Sequence, residues 1–196
     1  MKNIEKQIFN YLSKHLTHKR FEHSCNVATL ARELASKHNV DALKAQIAGL
    51  LHDCAKCMSN DEFVGLFNGR RKTFKHFSKI VKFSPNLLHS FAGEIVAKEK
   101  FKINDKDILN AIKNHTQGRS KMSVLEKIVF VADFVSNDRK MRYVKKLQNL
   151  AKQNLDKAFF EVLTKKIEHV ISEGIILLPQ TVDTWNWYVS NNKKNK

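Results

Sequence analysis

The 196-residue chain is 42% hydrophobic with only 6 Gly and 2 Pro, a length that allows one sizeable core and a composition that argues against collagen-like and all-β architectures. Its 35 Lys and Arg against 19 Asp and Glu give a formal charge of +16. An anionic partner is therefore expected, with nucleotides, nucleic acid and anionic lipid all open, although lysine-rich solvated helix faces produce the same excess. The MKNIEKQIFNYL start lacks a signal-peptide core, no apolar run is long enough to span a bilayer, and three cysteines (Cys25, Cys54, Cys57) suit reduced thiols better than a disulfide framework. A cytoplasmic protein with no membrane association is expected.

Ile4, Ile8, Leu12 and His15 recur at helical spacing and predict a first helix; a second follows from about Lys19, with His23, Val27, Leu30 and Leu34 on one stripe. Asn39 and Asp41 end it and cap a third, which carries Leu43, Ile47, Leu50 and Leu51 into His52-Asp53. Ser59 with Glu62 reads as a capping box opening a short helix that stops near Asn68-Gly69. A basic connection from Arg70 to Lys82, interleaved with Phe74 and Phe77, leads to Ser84-Pro85-Asn86, which breaks the chain before a helix over about 87–100 that carries His89. Asn104 is expected to cap the next helix, which runs to His115 and ends in Thr116-Gln117-Gly118. Ser123 and Glu126 form a second capping box ahead of a strongly apolar, hence central, helix reaching Asp133. Two amphipathic helices are predicted over Val144–Gln153 and Leu155–Ser172, and a final short element after Pro179 holds Trp185, Trp187 and Tyr188. Residues 191–196 are expected to be a disordered basic tail, leaving 1–190 as one all-α domain.

His23, the pair His52-Asp53, His89, His115 and Asp133 each fall beside apolar residues and each near the end of a predicted helix. Taken singly, a histidine beside an apolar stripe is more often a packed side chain than a ligand. Six candidates in one chain shift the balance toward metal, because imidazole and carboxylate together suit iron, manganese, cobalt or zinc, and helix ends in a bundle can converge. A carboxylate in the apolar run from Phe130 to Val135 asks for a cation or a strong hydrogen-bond partner, which singles out Asp133. Cys54 and Cys57 have CxxC spacing but no second pair, and are read as incidental.

His23, His52-Asp53 and Asp133, in this order, resemble the HD superfamily of helical metal-dependent phosphohydrolases. Arg20-Phe21-Glu22-His23, Leu51-His52-Asp53-Cys54-Ala55-Lys56, Leu88-His89, His115-Thr116-Gln117-Gly118, Val131-Ala132-Asp133 with Arg139, and the stretch from Thr181 to Asn186 look more specifically like the YqeK family. The resemblance implies an HD-type helical bundle, a di-iron centre and symmetrical hydrolysis of diadenosine tetraphosphate to two ADP. It assigns His23, His52, Asp53 and Asp133 to one metal and His89 and His115 to the other, with Asp53 bridging and acting catalytically. Two metals about 3.5–4 Å apart can activate a water and stabilise both oxygens of an in-line displacement.

With a nucleoside diphosphate as leaving group, cations near the phosphates matter more than a proton donor. Lys56, four residues after His52 and three after Asp53, would share their face on a continuing helix and is a catalytic as well as a substrate-binding candidate. Arg20 and Arg139 can bind phosphate bidentately, and Thr116 and Gly118 can offer a hydroxyl and a backbone N–H. Thr181 and Asn186 match a C-terminal family pattern for holding nucleotide, with Trp185 a candidate stacking face or simply core. Two departures stand out: Ser136 and Asn137 replace a Glu-Pro usual before the Arg, and Gln117 replaces a small hydroxyl residue. The alternatives are another HD nucleotide hydrolase, acting on a deoxynucleoside monophosphate or guanosine alarmone, and a non-catalytic module binding RNA through residues 70–82. Six ligand candidates make a nucleic-acid partner the weaker reading; a homodimer is compatible with the sequence.

Overall fold

The structure is a computed structural model that describes residues 2–69, 80–82 and 84–192. Ten α-helices have defined bounds among these residues: α1 (Lys2–His15), α2 (His18–Lys37), α3 (Ala42–Leu51), α4 (Asn60–Leu66), α5 (Leu88–Lys100), α6 (Lys106–Asn114), α7 (Val124–Val135), α8 (Val144–Gln153), α9 (Leu155–Ser172) and α10 (Pro179–Asn192). A 3₁₀ turn, Pro85–Leu87, leads into α5, and no described residue is in a strand.

The signals that start these helices are local. Asp41 accepts from the N–H groups of Leu43 and Lys44, and Ser59–Glu62 and Ser123–Glu126 close reciprocal capping boxes. Asp105, rather than Asn104, caps α6, because its carboxylate accepts from the N–H groups of Asp107 and Ile108. The C-terminal element is longer than expected: α10 has 14 residues and takes in Asn191, whose side chain bonds the Trp187 carbonyl. The basic connection over residues 70–79 and the last four residues of the expected tail lie outside the described residues.

α7 is strongly apolar and occupies the centre: Leu125 and the run Ile128 to Ala132 are buried, between α2, α6 and α9. Phe130 meets Phe159 of α9 with ring centroids 4.9 Å apart, and Leu34, Leu50, Ile112 and Leu163 complete a continuous core. Each such side chain contributes roughly 1.5–3 kcal/mol by leaving water. α2 and α3 cross closely, where Ala28, Ala31, Ala45, Ala48 and Gly49 are all buried. A Cβ on Gly49 would lie 2.7 Å from the Ala28 Cα, so only glycine permits the approach that fixes the end of α3, and His52 with it. No helix among the described residues is long and apolar enough to cross a membrane.

Candidate metal centre

His23 lies inside α2 rather than at a helix end, His52 caps the C-terminus of α3 with Asp53 in the turn beyond, His89 stands in the first turn of α5, His115 caps α6, and Asp133 stands in the last turn of α7. Five elements therefore bring all six predicted ligands to one place. His23, His52 and Asp53 form one cluster with ligand atoms within 4.8 Å of one another; Asp53, His89 and His115 form a second. Asp53 belongs to both. Its Oδ2 faces His52 Nε2 at 3.8 Å, while its Oδ1 faces His89 Nε2 at 3.1 Å and His115 Nε2 at 3.6 Å. Asp133 Oδ1 joins the first cluster, 3.2 Å from His23 Nε2 and 3.9 Å from His52 Nε2.

Three of the rings are oriented by backbone three residues upstream. Nδ1 of His52 donates to the Gly49 carbonyl at 2.7 Å, Nδ1 of His115 to that of Ile112 at 2.7 Å, and Nδ1 of His89 to that of Asn86. These bonds assign the proton to Nδ1 and turn each Nε2 lone pair inward. The buried His52 Nε2 has no hydrogen-bond partner, and Nε2 of His89 and His115 face each other at 3.1 Å beside Asp53 Oδ1. Converging acceptors of this kind repel unless a cation lies among them, so the residues fit divalent metal.

The electrostatics follow from burial and these neighbours. Burial pushes His52 down to about 4 and lowers His115 as well, keeping both imidazoles neutral and fit to ligate. Burial alone would raise Asp133, but Lys166 first and then His23 hold it well below the usual carboxylate range.

The predicted phosphate-binding cations flank the centre. Arg20 Nη1 is 3.4 Å from Asp53 Oδ2, Arg139 Nη2 is 3.2 Å from Asp133 Oδ1, and Lys56 Nζ is 3.1 Å from His89 Nδ1. The helix expected to carry Lys56 does not continue: α3 stops at Leu51, and successive turns, including a Lys56 N–H to Asp53 carbonyl bond of 2.9 Å, swing the lysine into the site instead. Arg20, Arg139, Lys56 and Thr116 line a cavity of about 430 Å³ over the ligands. Lys56, Thr116, Asp133 and Arg139 also border a second cavity of about 650 Å³, walled by apolar groups including Leu87, Phe134, Met141, Tyr143 and Ile176, with Thr181 on its lining.

Gly118 and Asn186 do not join them. The Gly118 N–H donates to the Asn114 carbonyl at 2.9 Å, its φ of +68° makes the turn, and an added Cβ would strike Thr184; its role is the turn after α6. Asn186 is exposed and borders neither cavity. Trp185 stacks on Phe160 at 4.8 Å, in keeping with core packing.

Two residues were missed. Lys166 of α9 donates to Asp133 Oδ2 at 3.2 Å and to the His115 carbonyl at 3.0 Å, and its ammonium sits 4.1 Å from the Phe130 ring centroid. Its signal was present: Phe159, Val162, Leu163 and Lys166 share one helical stripe, so this lysine interrupts a buried face. Asp138 Oδ2 accepts from His23 Nδ1 at 2.9 Å. No spacing rule pointed to it, because it lies in an irregular turn after α7.

The HD domain family matches residues 20–138. Proteins called symmetrical bis(5'-nucleosyl)-tetraphosphatase are 34% identical over 88% of the chain and 90% of the relative in Halalkalibacterium halodurans, and 30% identical over 99% of the chain and 98% of the relative in Staphylococcus aureus. A crystal structure from Clostridium acetobutylicum, described as an HD superfamily hydrolase involved in NAD metabolism, superposes with a TM-score of 0.88 at 36% identity, covering 95% of this chain and 97% of that one. HD domains bind divalent metals, and the chain has two His and Asp groups that could hold such an ion. The chain belongs to the HD-domain hydrolases and, within them, to the YqeK family.

Proposed function

We propose that the chain hydrolyses diadenosine tetraphosphate symmetrically to two ADP at a dinuclear centre, with iron the preferred metal. The observation that carries this reading is the division of the Asp53 carboxylate, one oxygen toward His52 and the other toward His89 and His115. The names of the two bacterial relatives support the substrate. The iron preference rests on family resemblance, and the mixed His and Asp ligands also accept manganese, cobalt or zinc.

His23, His52, Asp53 and Asp133 would hold one ion, and Asp53, His89 and His115 the other. Metal held there would supply Lewis acidity and lower the pKa of a bound water. Around them, Arg20, Lys56 and Arg139 bind and orient the tetraphosphate and neutralise charge on its oxygens. Burial lowers the Lys56 ammonium, yet the carboxylate of Asp53 works to keep its charge. The apolar cavity of about 650 Å³ next to the centre has room for a nucleoside, with Thr116 and Thr181 able to bond its polar edge. In the net reaction a water oxygen bonds to one central phosphorus, the central bridging oxygen leaves with the other ADP, and no protein nucleophile is consumed.

Chromatography of products from the metal-loaded protein tests this directly. Two ADP per diadenosine tetraphosphate is expected. AMP with ATP would refute symmetrical cleavage, and turnover only of a deoxynucleoside monophosphate or a guanosine alarmone would replace the substrate.

A further inference from the structure

The four histidines of the centre are not oriented alike. His52, His89 and His115 each give Nδ1–H to a backbone carbonyl three residues upstream, a neutral acceptor supplied by the helix or turn itself. His23 lies in the second turn of α2, where the carbonyls are taken by the helix, and its Nδ1 reaches out of its own element to the Asp138 carboxylate at 2.9 Å and to the Ser136 hydroxyl at 3.3 Å. Asp138 lies after α7, which also carries Asp133, the ligand facing His23 Nε2. The ring is therefore gripped at both nitrogens by one short stretch of chain. Asp138 borders the cavity over the ligands, and Ser136 beside it is fully buried.

We infer that Asp138 is a positioning residue for the first metal position, completing a carboxylate–imidazole–metal relay through His23. This inference rests on the dinuclear reading above. A charged acceptor at Nδ1 does two things that a carbonyl does less well. It fixes the tautomer in which Nε2 carries the lone pair, and it increases the electron density that Nε2 gives a cation. The first position then has two direct carboxylates, Asp53 and Asp133, and one outer carboxylate, Asp138. The second has Asp53 alone, with imidazoles held by neutral carbonyls. The two positions consequently differ in strength: the first binds a divalent cation tightly, and the second is the weaker and more exchangeable.

Binding of cobalt(II) to the metal-stripped full chain tests this, read by its visible absorption and by competition with a chelator, for wild type, Asp138→Asn, Asp138→Ala and Asp138→Glu. Wild type should take up two ions in two resolved phases. Asp138→Asn should keep the wild-type circular dichroism and the weak phase while the tight phase loses about 10–100-fold in affinity, the range for outer-shell partners. Asp138→Ala should lose at least as much, and Asp138→Glu should regain part of the loss. An Asp138→Asn isotherm that overlays wild type overturns the inference, even if activity falls, because Asp138 would then act on substrate. Loss of the weak phase with the tight one intact overturns it as well. If Asp138→Ala fails to fold, the near-isosteric Asp138→Asn still decides, since it removes the charge at His23 Nδ1 and keeps the shape, and its tight phase either weakens or does not. Failure of wild type to bind cobalt(II) would instead strike at the dinuclear reading itself.

Discussion

Gly49→Ala tests the link between packing and the metal centre. The new methyl would lie 2.7 Å from the Ala28 Cα, 3.0 Å from its N and 3.3 Å from the Val27 carbonyl carbon. Ordinary carbon contacts are about 3.5–4.0 Å, so α2 and α3 must part by about 1 Å, and because the opposing atoms are backbone no rotamer change relieves the clash. Helix propensity alone favours alanine by about 1 kcal/mol. Overpacking costs about 1–3 kcal/mol, and its upper end applies here because the whole small-residue crossing is disturbed. The net loss should be about 2 kcal/mol, or a fall of about 4–8 °C in Tm for a chain of this size. Function should suffer too, since the Gly49 carbonyl orients His52 at 2.7 Å and Asp53 follows directly; a shift of about 1 Å is worth about 10²-fold in kcat. Calorimetry and steady-state kinetics measure both, with Gly65→Ala in α4 as the control. Nothing lies within 4 Å of a Cβ there, so stability should rise by up to about 1 kcal/mol. A Gly49→Ala protein as stable and active as wild type would refute the reasoning.

In the metal-stripped protein, stability should fall with pH below about 6.5. Burial lowers the folded-state His52 to about 4, so the unfolded chain takes up a proton that the folded one refuses; the contribution is present above about 6.5 and is lost on acidification, up to about 3 kcal/mol by pH 4. His115 acts in the same direction, while His23, whose burial is outweighed by bonds to Asp133 and Asp138, opposes it. Urea denaturation at pH 7 and 5 should show a shallower dependence in His52→Asn, and an unchanged slope would contradict the assignment. Lys166→Met removes donors from Asp133 Oδ2 and the His115 carbonyl. It should destabilise the stripped protein by about 1–3 kcal/mol and the metal-loaded protein by less, because bound cations compensate the carboxylate; equal losses in both states would show that Lys166 serves packing alone.

Much of the architecture was legible because its signals are local. Ser59–Glu62 and Ser123–Glu126 announce helix starts within four residues, and the periodicity of Val144–Gln153 and Leu155–Ser172 marks both helices to their ends. The adjacent carboxamide and carboxylate at Asn104 and Asp105 were harder to separate, since either can cap and only the backbone angle at Asp105 selects it. The six candidate ligands that converge were legible from residue type and order, yet the contacts that orient them were not. Asp138 reaches His23 from a separate element with no spacing to betray it, and the spacing that puts Lys166 on a buried stripe does not name its partners Asp133 and His115. Gly118 shows the converse: a motif position suggestive of phosphate binding is occupied with its own turn.

The central claim is that Asp53 joins two metal positions, and metal analysis of anaerobically purified wild type and Asp53→Ala, with circular dichroism to verify folding, tests it most directly. The account predicts about two ions per wild-type chain and loss from both positions in the folded variant, because each loses one Asp53 oxygen. A folded Asp53→Ala protein that keeps the full wild-type metal content would contradict it.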